Sequence, residues 1–259
     1  MVTKRSGTQS IGRAMLLLRE VAARGHFGWP LGDLAERCGL DKGTTHRMLA
    51  HLKRERMVTQ RAEDRRYLPG PLVFELGLGL REHAAFVAAA EAPLDRLARR
   101  LDTVAFLCLR SGDDFVCAAR AGALSEHALS IQVGTRRPLL ASSAGVAILL
   151  TLPKDEVRDI LQQNRRTLRR GGVPVAAIER MWRQSQARGL AANEQDVVPG
   201  WNAYAVAMRD AVGAPFGSLM VAGPASSFSV AARPEIFDML EQTAAKLGRE
   251  CARLLPSGY

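Results

Sequence analysis

The stretch Lys42–Leu52 (KGTTHRMLAHL) holds the residue types best suited to chemistry. Thr45, Met48, Leu49 and Leu52 recur at i, i+3, i+4 and i+7, one face of a helix. Lys42, Gly43, Thr44, His46, Arg47 and His51 fall outside that stripe. Such a helix fits the major groove of double-stranded DNA, with its N-terminal side chains at base edges. Arg47 can pair with O6 and N7 of guanine. Lys42 and Thr44, near the helix start, can hold phosphates, and Gly43 allows close backbone approach. Downstream, Arg61, Arg65 and Arg66 can reach an adjacent phosphate or the minor groove. A charged helix face is ordinarily a solvated one. Here the helix follows a glycine turn and precedes a basic hairpin, and both favour a nucleic-acid partner.

Catalytic constellations are missing. Lys42-Gly43-Thr44 has the wrong order for a phosphate-binding loop, and no lysine follows a Gly-rich run. Gly77-Leu78-Gly79 opens like a dinucleotide fingerprint, but Glu82 stands where the third glycine belongs. There is no H-E-x-x-H and no G-x-S-x-G. Ser142 and Ser143 could serve as nucleophiles only beside an activating base, and the chain beyond residue 83 has one histidine, His127. Cys38, Cys108, Cys117 and Cys251 show neither C-x-x-C nor metal-ligand spacing. They are expected to be reduced and buried. No catalytic residue, metal or cofactor is expected.

The 259 residues carry a formal charge of +10, which points to a polyanionic partner. Residues 1–83 hold 15 Lys/Arg against 9 Asp/Glu, and residues 84–259 hold 21 against 17. The excess is thus denser in the first third, although 31 arginines against 5 lysines also suit a bias of genome composition. No apolar run approaches the roughly 18 residues of a membrane helix. With no signal peptide legible at the N-terminus, a cytoplasmic protein without membrane contact is expected.

The elements that would position these residues follow from periodicity and punctuation. Helices are predicted over 10–24, 31–38 and 42–55, with Pro30 and Asp41 at two starts and Gly39 just past an end. Two short helices around a glycine-containing turn form a helix-turn-helix. Met57–Gln60 and Arg66–Pro69 read as a β-wing. Segment 71–101 reads as a long helical stretch broken near Glu91–Pro93. Strands are predicted at Val104–Arg110, Phe115–Ala121, Leu129–Val133, Tyr204–Arg209 and Pro215–Val221. Helices are predicted at Ser143–Leu152, Lys154–Gln163, Pro174–Arg188 and 233–255. The second part is α+β with an antiparallel sheet.

Segment 9–77 resembles the winged helix-turn-helix of IclR-type bacterial transcriptional regulators. The matching stretches are QSIGRAMLLL (9–18), LGDLAERCGL (31–40), KGTTHRMLAHL (42–52) and RYLPG (66–70). The likeness continues through GTRRPLLASSAGVAILL (134–150), residues 188–200 and a final stretch ending VAGPA (221–225). It implies a DNA-binding domain over 1–70, a linker helix over 71–90 and a GAF-like effector-binding domain over 91–259. It also implies homodimers, or pairs of dimers, on operator DNA and a small-molecule effector, commonly an organic acid, controlling nearby catabolic or transport genes.

The family's effector contacts match Leu129, Ser143, Ala144, Asn193, Trp201, Ala203, Met220 and Ala222. The chain departs from the family at Leu140 and Val146, where His and Lys are usual, and at Ala203 and Ala207, where Cys and Pro are frequent. Asn193 and Ser143 are the main polar survivors in the set, and Trp201 and Met220 add apolar bulk. An effector larger and more apolar than glyoxylate is therefore expected, such as an aromatic acid or amide. The competing readings are a DNA-binding architectural protein with no effector and a serine-dependent hydrolase.

Overall fold

A computed structural model describes residues 8–122, 131–171, 173–226 and 228–254. The chain divides into two compact units, Met1–Arg81 and Glu82–Tyr259.

In the first unit, helices α1 (Thr8–Arg24), α2 (Leu31–Cys38) and α3 (Lys42–Arg54) precede a two-stranded hairpin, β1 (Val58–Gln60) and β2 (Tyr67–Pro69). Their apolar stripes meet in one core of Leu17, Val21, Leu34, Leu49, Leu52, Val58 and Tyr67. The turn between α2 and α3 needs Gly39, which is left-handed at φ 64° and donates its N–H to the carbonyls ending α2. Asp41 caps α3 by accepting the Thr44 N–H at 2.8 Å. The hairpin is tied to the loop before α2, where Trp29 and Tyr67 exchange backbone hydrogen bonds of 2.9 and 2.8 Å.

The single linker helix expected over 71–90 is instead two helices, α4 (Pro71–Gly77) and α5 (Arg81–Leu101). The break falls at Leu78–Leu80, beside Gly77 and Gly79, and not at Pro93. Pro93 lies inside α5 on a buried stripe with Phe86, Ala90, Leu94 and Leu97. Ala89, whose carbonyl loses its helical donor to the proline, is exposed and can be solvated.

The second unit centres on a six-stranded antiparallel sheet in the order β5-β4-β3-β8-β7-β6. Its strands are β3 (Val104–Ser111), β4 (Asp114–Ala121), β5 (Arg136–Pro138), β6 (Ala191–Glu194), β7 (Trp201–Arg209) and β8 (Pro215–Pro224). Helices α6 (Ser143–Leu149), α7 (Lys154–Arg170) and α8 (Val175–Arg188) cover one face, and Val104, Phe106, Ala203, Ala205, Met220 and Ala222 point into that core. Helices α5 and α9 (Arg233–Leu254) cover the other, packed on Leu107, Tyr204, Leu219 and Val221. Alternation along β3, β7 and Leu219–Ala222 of β8 separates the two cores.

Helix α7 runs on to Arg170, past the predicted end at Gln163, and two further elements differ from expectation. Within the predicted strand Leu129–Val133, residues 129 and 130 lie outside the described residues, and 131–133 form no strand. Thr135 Oγ1 accepts the Gln132 N–H at 2.8 Å and Gly134 adopts φ 86°, so this segment turns. The strand forms later, at β5. The edge strand β6 had no sequence signal.

Gly145 of α6 faces the preceding segment so closely that a Cβ there would collide with the Leu139 carbonyl oxygen. Ala in place of a helical Gly ordinarily stabilises by up to about 1 kcal/mol, but overpacking against backbone costs about 1–3 kcal/mol. Gly145→Ala is therefore expected to destabilise the second unit, seen as a lowered denaturation midpoint.

Candidate functional site

On α3, Thr45, Leu49 and Leu52 are buried, whereas Lys42, Gly43, His46, Arg47 and His51 are exposed and Thr44 is half-exposed. The expected face is thus gathered on one side. Arg47 donates from Nη2 to Thr44 Oγ1 at 3.1 Å. A Cβ on Gly43 would meet the Arg47 Nη1 at 3.7 Å, an ordinary contact distance, so the guanidinium does not itself require glycine there. Lys42 reaches back beside Gly32 of α2, and the His51 Nδ1 lies 2.6 Å from Arg54 Nη2. His46 has no side-chain partner among the described residues.

The wing arginines are not equivalent. Arg61 donates to both carboxylate oxygens of Asp64, at 2.9 and 2.6 Å, and to the His26 carbonyl at 3.0 Å. Arg66 lies 3.1 Å from Asp64 and donates to the Phe27 carbonyl at 3.3 Å. Both are therefore tied into the unit's own loops. Arg65, held left-handed at φ 59°, is exposed and its side chain has no partner among the described residues. Hydrogen bonds from Arg61 hold the Asp64 carboxyl down to about 2. A carboxyl lowered on folding stabilises above its ordinary value near 4 and loses that effect as pH falls toward the lowered one. The clip is therefore intact at neutral pH.

In the second unit the register brings most of the expected effector positions together. Val104, Ala222, Ala203 and Asn193 form one row across β3, β8, β7 and β6. Phe106, Met220, Ala205 and Ala191 form the next row on the same face. Trp201 packs against this core, and α6 lies over it with Ser143 and Ala144 at its start, both buried. Leu129 lies outside the described residues. Asn193 is engaged locally: its Oδ1 accepts the Val197 N–H at 2.9 Å. Ser143 Oγ is buried without a hydrogen-bond partner. Arg120, which sequence reasoning did not single out, pairs with Phe106 in register and so joins the second row. Only the β3–β4 alignment reveals that.

The cysteines are free, three of them buried and Cys38 half-buried. Burial pushes the thiols of Cys38 and Cys251 up to about 11. A hydrogen bond with Cys117, together with burial, raises Cys108. None of these three offers a thiolate nucleophile at neutral pH. Among the described residues no group of His, Cys, Asp and Glu could hold a metal ion, and no helix is long and apolar enough to cross a membrane.

Two family models match this chain. Residues 10–62 match the IclR helix-turn-helix domain and residues 81–249 the C-terminal domain of bacterial transcriptional regulator IclR. The chain belongs to the IclR family. Similar proteins include the HTH-type transcriptional regulator KdgR of Escherichia coli, 23% identical over 84% of each chain. A solved IclR-type regulator from Silicibacter shares the fold at TM-score 0.71 and 20% identity, covering 96% of this chain and 98% of that one. An IclR homologue from Microbacterium hydrocarbonoxydans, complexed with 4-hydroxybenzoate, matches at TM-score 0.66 and 18% identity over 94% and 99%. As an IclR-family member the chain is a DNA-binding transcriptional regulator with an effector domain, and not an enzyme. The architectural reading, which has no effector, does not account for residues 81–249 matching the family's C-terminal domain.

Proposed function

We propose that α3 reads operator DNA through Lys42, Gly43, Thr44, His46, Arg47 and His51. Arg65 reaches a phosphate from the wing, while Arg61 and Arg66 hold the wing in shape. The observation that carries this is the exposure of that polar set on a helix whose opposite face is locked in the core. The regulator acts as a homodimer. In support, Ile11 and Met15 of α1 and Phe74 and Leu76 of α4 are exposed, at 63, 45, 71 and 58%, as are Leu78 and Leu80 beyond α4. Phe74, Leu76, Leu78 and Leu80, all exposed within seven residues of chain, suit a contact surface. Two recognition helices would then engage half-sites about 34 Å apart, or a multiple of that. Hydroxyl-radical footprinting should show two protected segments at that spacing. One isolated segment would contradict the dimer.

The effector binds over the inner sheet face, among Ser143, Ala144, Asn193, Trp201, Ala203, Met220 and Ala222. Its differential affinity for two arrangements of the protein shifts operator occupancy. The apolar lining favours an aromatic or otherwise bulky organic molecule over glyoxylate, and the relative bound to 4-hydroxybenzoate is in keeping with this. Calorimetry showing tight glyoxylate binding and no aromatic binding would contradict it.

Asp64→Asn removes the clip on two arginines. It is expected to raise affinity for unrelated DNA and steepen its salt dependence, since each freed arginine can displace a further counterion. An unchanged slope in anisotropy titrations would show that Arg61 and Arg66 stay bound to the carbonyls of His26 and Phe27.

A further inference from the structure

Arg120 stands out in the effector domain for the company it keeps. Arg110, Arg136, Arg165 and Arg233, which are also half-buried, face the carboxylates of Glu156, Asp114, Glu179 and Glu194. Arg120 has no carboxylate among the described residues. Its Nη1 donates to the amide oxygen of Gln132 at 2.9 Å, and its guanidinium lies 5.8 Å from the centre of the Phe106 ring. A partly buried cation normally acquires an anion, because an amide and a ring face compensate its lost hydration only in part.

Its location gives that deficit a meaning. Arg120 pairs with Phe106 across β3–β4, and Phe106 pairs with Met220 across β3–β8, so the three share one row and one face. That face is the one proposed above for the effector. It carries the buried apolar side chains of Phe106, Met220 and Ala222, the buried hydroxyl of Ser143, which lacks a hydrogen-bond partner, and at its β4 side Arg120, which faces no carboxylate among the described residues. Planar guanidinium groups recognise carboxylates through two parallel N–H···O bonds.

We propose that Arg120 is the residue that holds the effector, through a carboxylate bound as its anion, with the apolar body lying over Phe106 and Met220. This rests on the effector reading of the inner face. It adds a charged anchor two strands beyond the positions expected from the resemblance, and it excludes the amide that the apolar lining alone would admit.

The test uses the full-length protein and matched pairs of probes: benzoate with benzamide, 4-hydroxybenzoate with 4-hydroxybenzamide, phenylacetate with phenylacetamide, and pyruvate with pyruvamide. Binding is measured by calorimetry and operator affinity by anisotropy. At least one acid should bind the unaltered protein well ahead of its amide. Arg120→Gln should weaken that acid about 10- to 100-fold, the worth of a charged hydrogen-bonding partner, and erase the preference over the amide. Arg120→Lys should recover part of it. A neutral amide binding as well as its acid, or an acid indifferent to Arg120→Gln in a variant with unaltered melting, would overturn the carboxylate anchor and leave the effector reading standing. Failure of every probe would overturn it too, while the operator titration judges the regulator reading separately.

Discussion

Leu49→Ala is expected to destabilise the DNA-binding unit by about 2–5 kcal/mol, the usual cost of emptying a fully buried leucine site. Leu49 has no exposed surface and packs among Leu17, Val21, Leu34 and Leu52, where α1, α2 and α3 meet. A unit of about 80 residues has a stability of only several kcal/mol, so such a loss is a large share of it. The second unit has separate cores and should be spared. Thermal unfolding should therefore lose or shift one transition and keep the other. DNA affinity falls with the folded fraction of the first unit, equally for all sequences. A single transition displaced as a whole would mean that the two units unfold together.

Arg47→Ala, two positions away on the same helix, should do the opposite. Arg47 is exposed and its only side-chain hydrogen bond among the described residues is to Thr44, so truncation should leave melting within about 0.5 kcal/mol of the parent. If it reads a guanine, operator affinity falls by about 1–3 kcal/mol, or about 5- to 150-fold, and discrimination at that base pair relaxes. Uniform weakening on all sequences, with a shallower salt slope, would mark it as a phosphate contact. The pair of variants separates what holds the helix from what the helix presents. The difference between them is invisible in a scan of charge or hydropathy and follows from the i, i+3, i+4 stripe.

That stripe is why the first unit was legible. Each helix carries its own period, and Pro30, Gly39 and Asp41 punctuate the boundaries by local chemistry. What was not legible depended on long-range pairing. The short edge strands β5 and β6 are three and four residues long, and only their neighbours define them. Pro93 suggested a break, yet its ring is buried on the core side of α5 while two glycines near residue 78 supply the actual interruption. On the wing the arginines were legible as charges, but not that Asp64 and the carbonyls of His26 and Phe27 occupy two of the three. In the effector domain the resemblance supplied positions that the register then gathered on one face. Asn193 proved tied to its own loop, and Arg120 entered only through its alignment with Phe106.

The most direct test is a fluorescence-anisotropy titration of the full-length protein on the intergenic DNA upstream of its own gene. It is run at two salt concentrations against unrelated DNA, with and without the acid that binds tightest. Selective binding to the upstream DNA that persists at the higher salt, and is shifted by the acid, is the predicted result. Equal, steeply salt-dependent binding to both DNAs, indifferent to every acid, would contradict effector-controlled operator recognition and leave only the attraction of a basic protein for a polyanion.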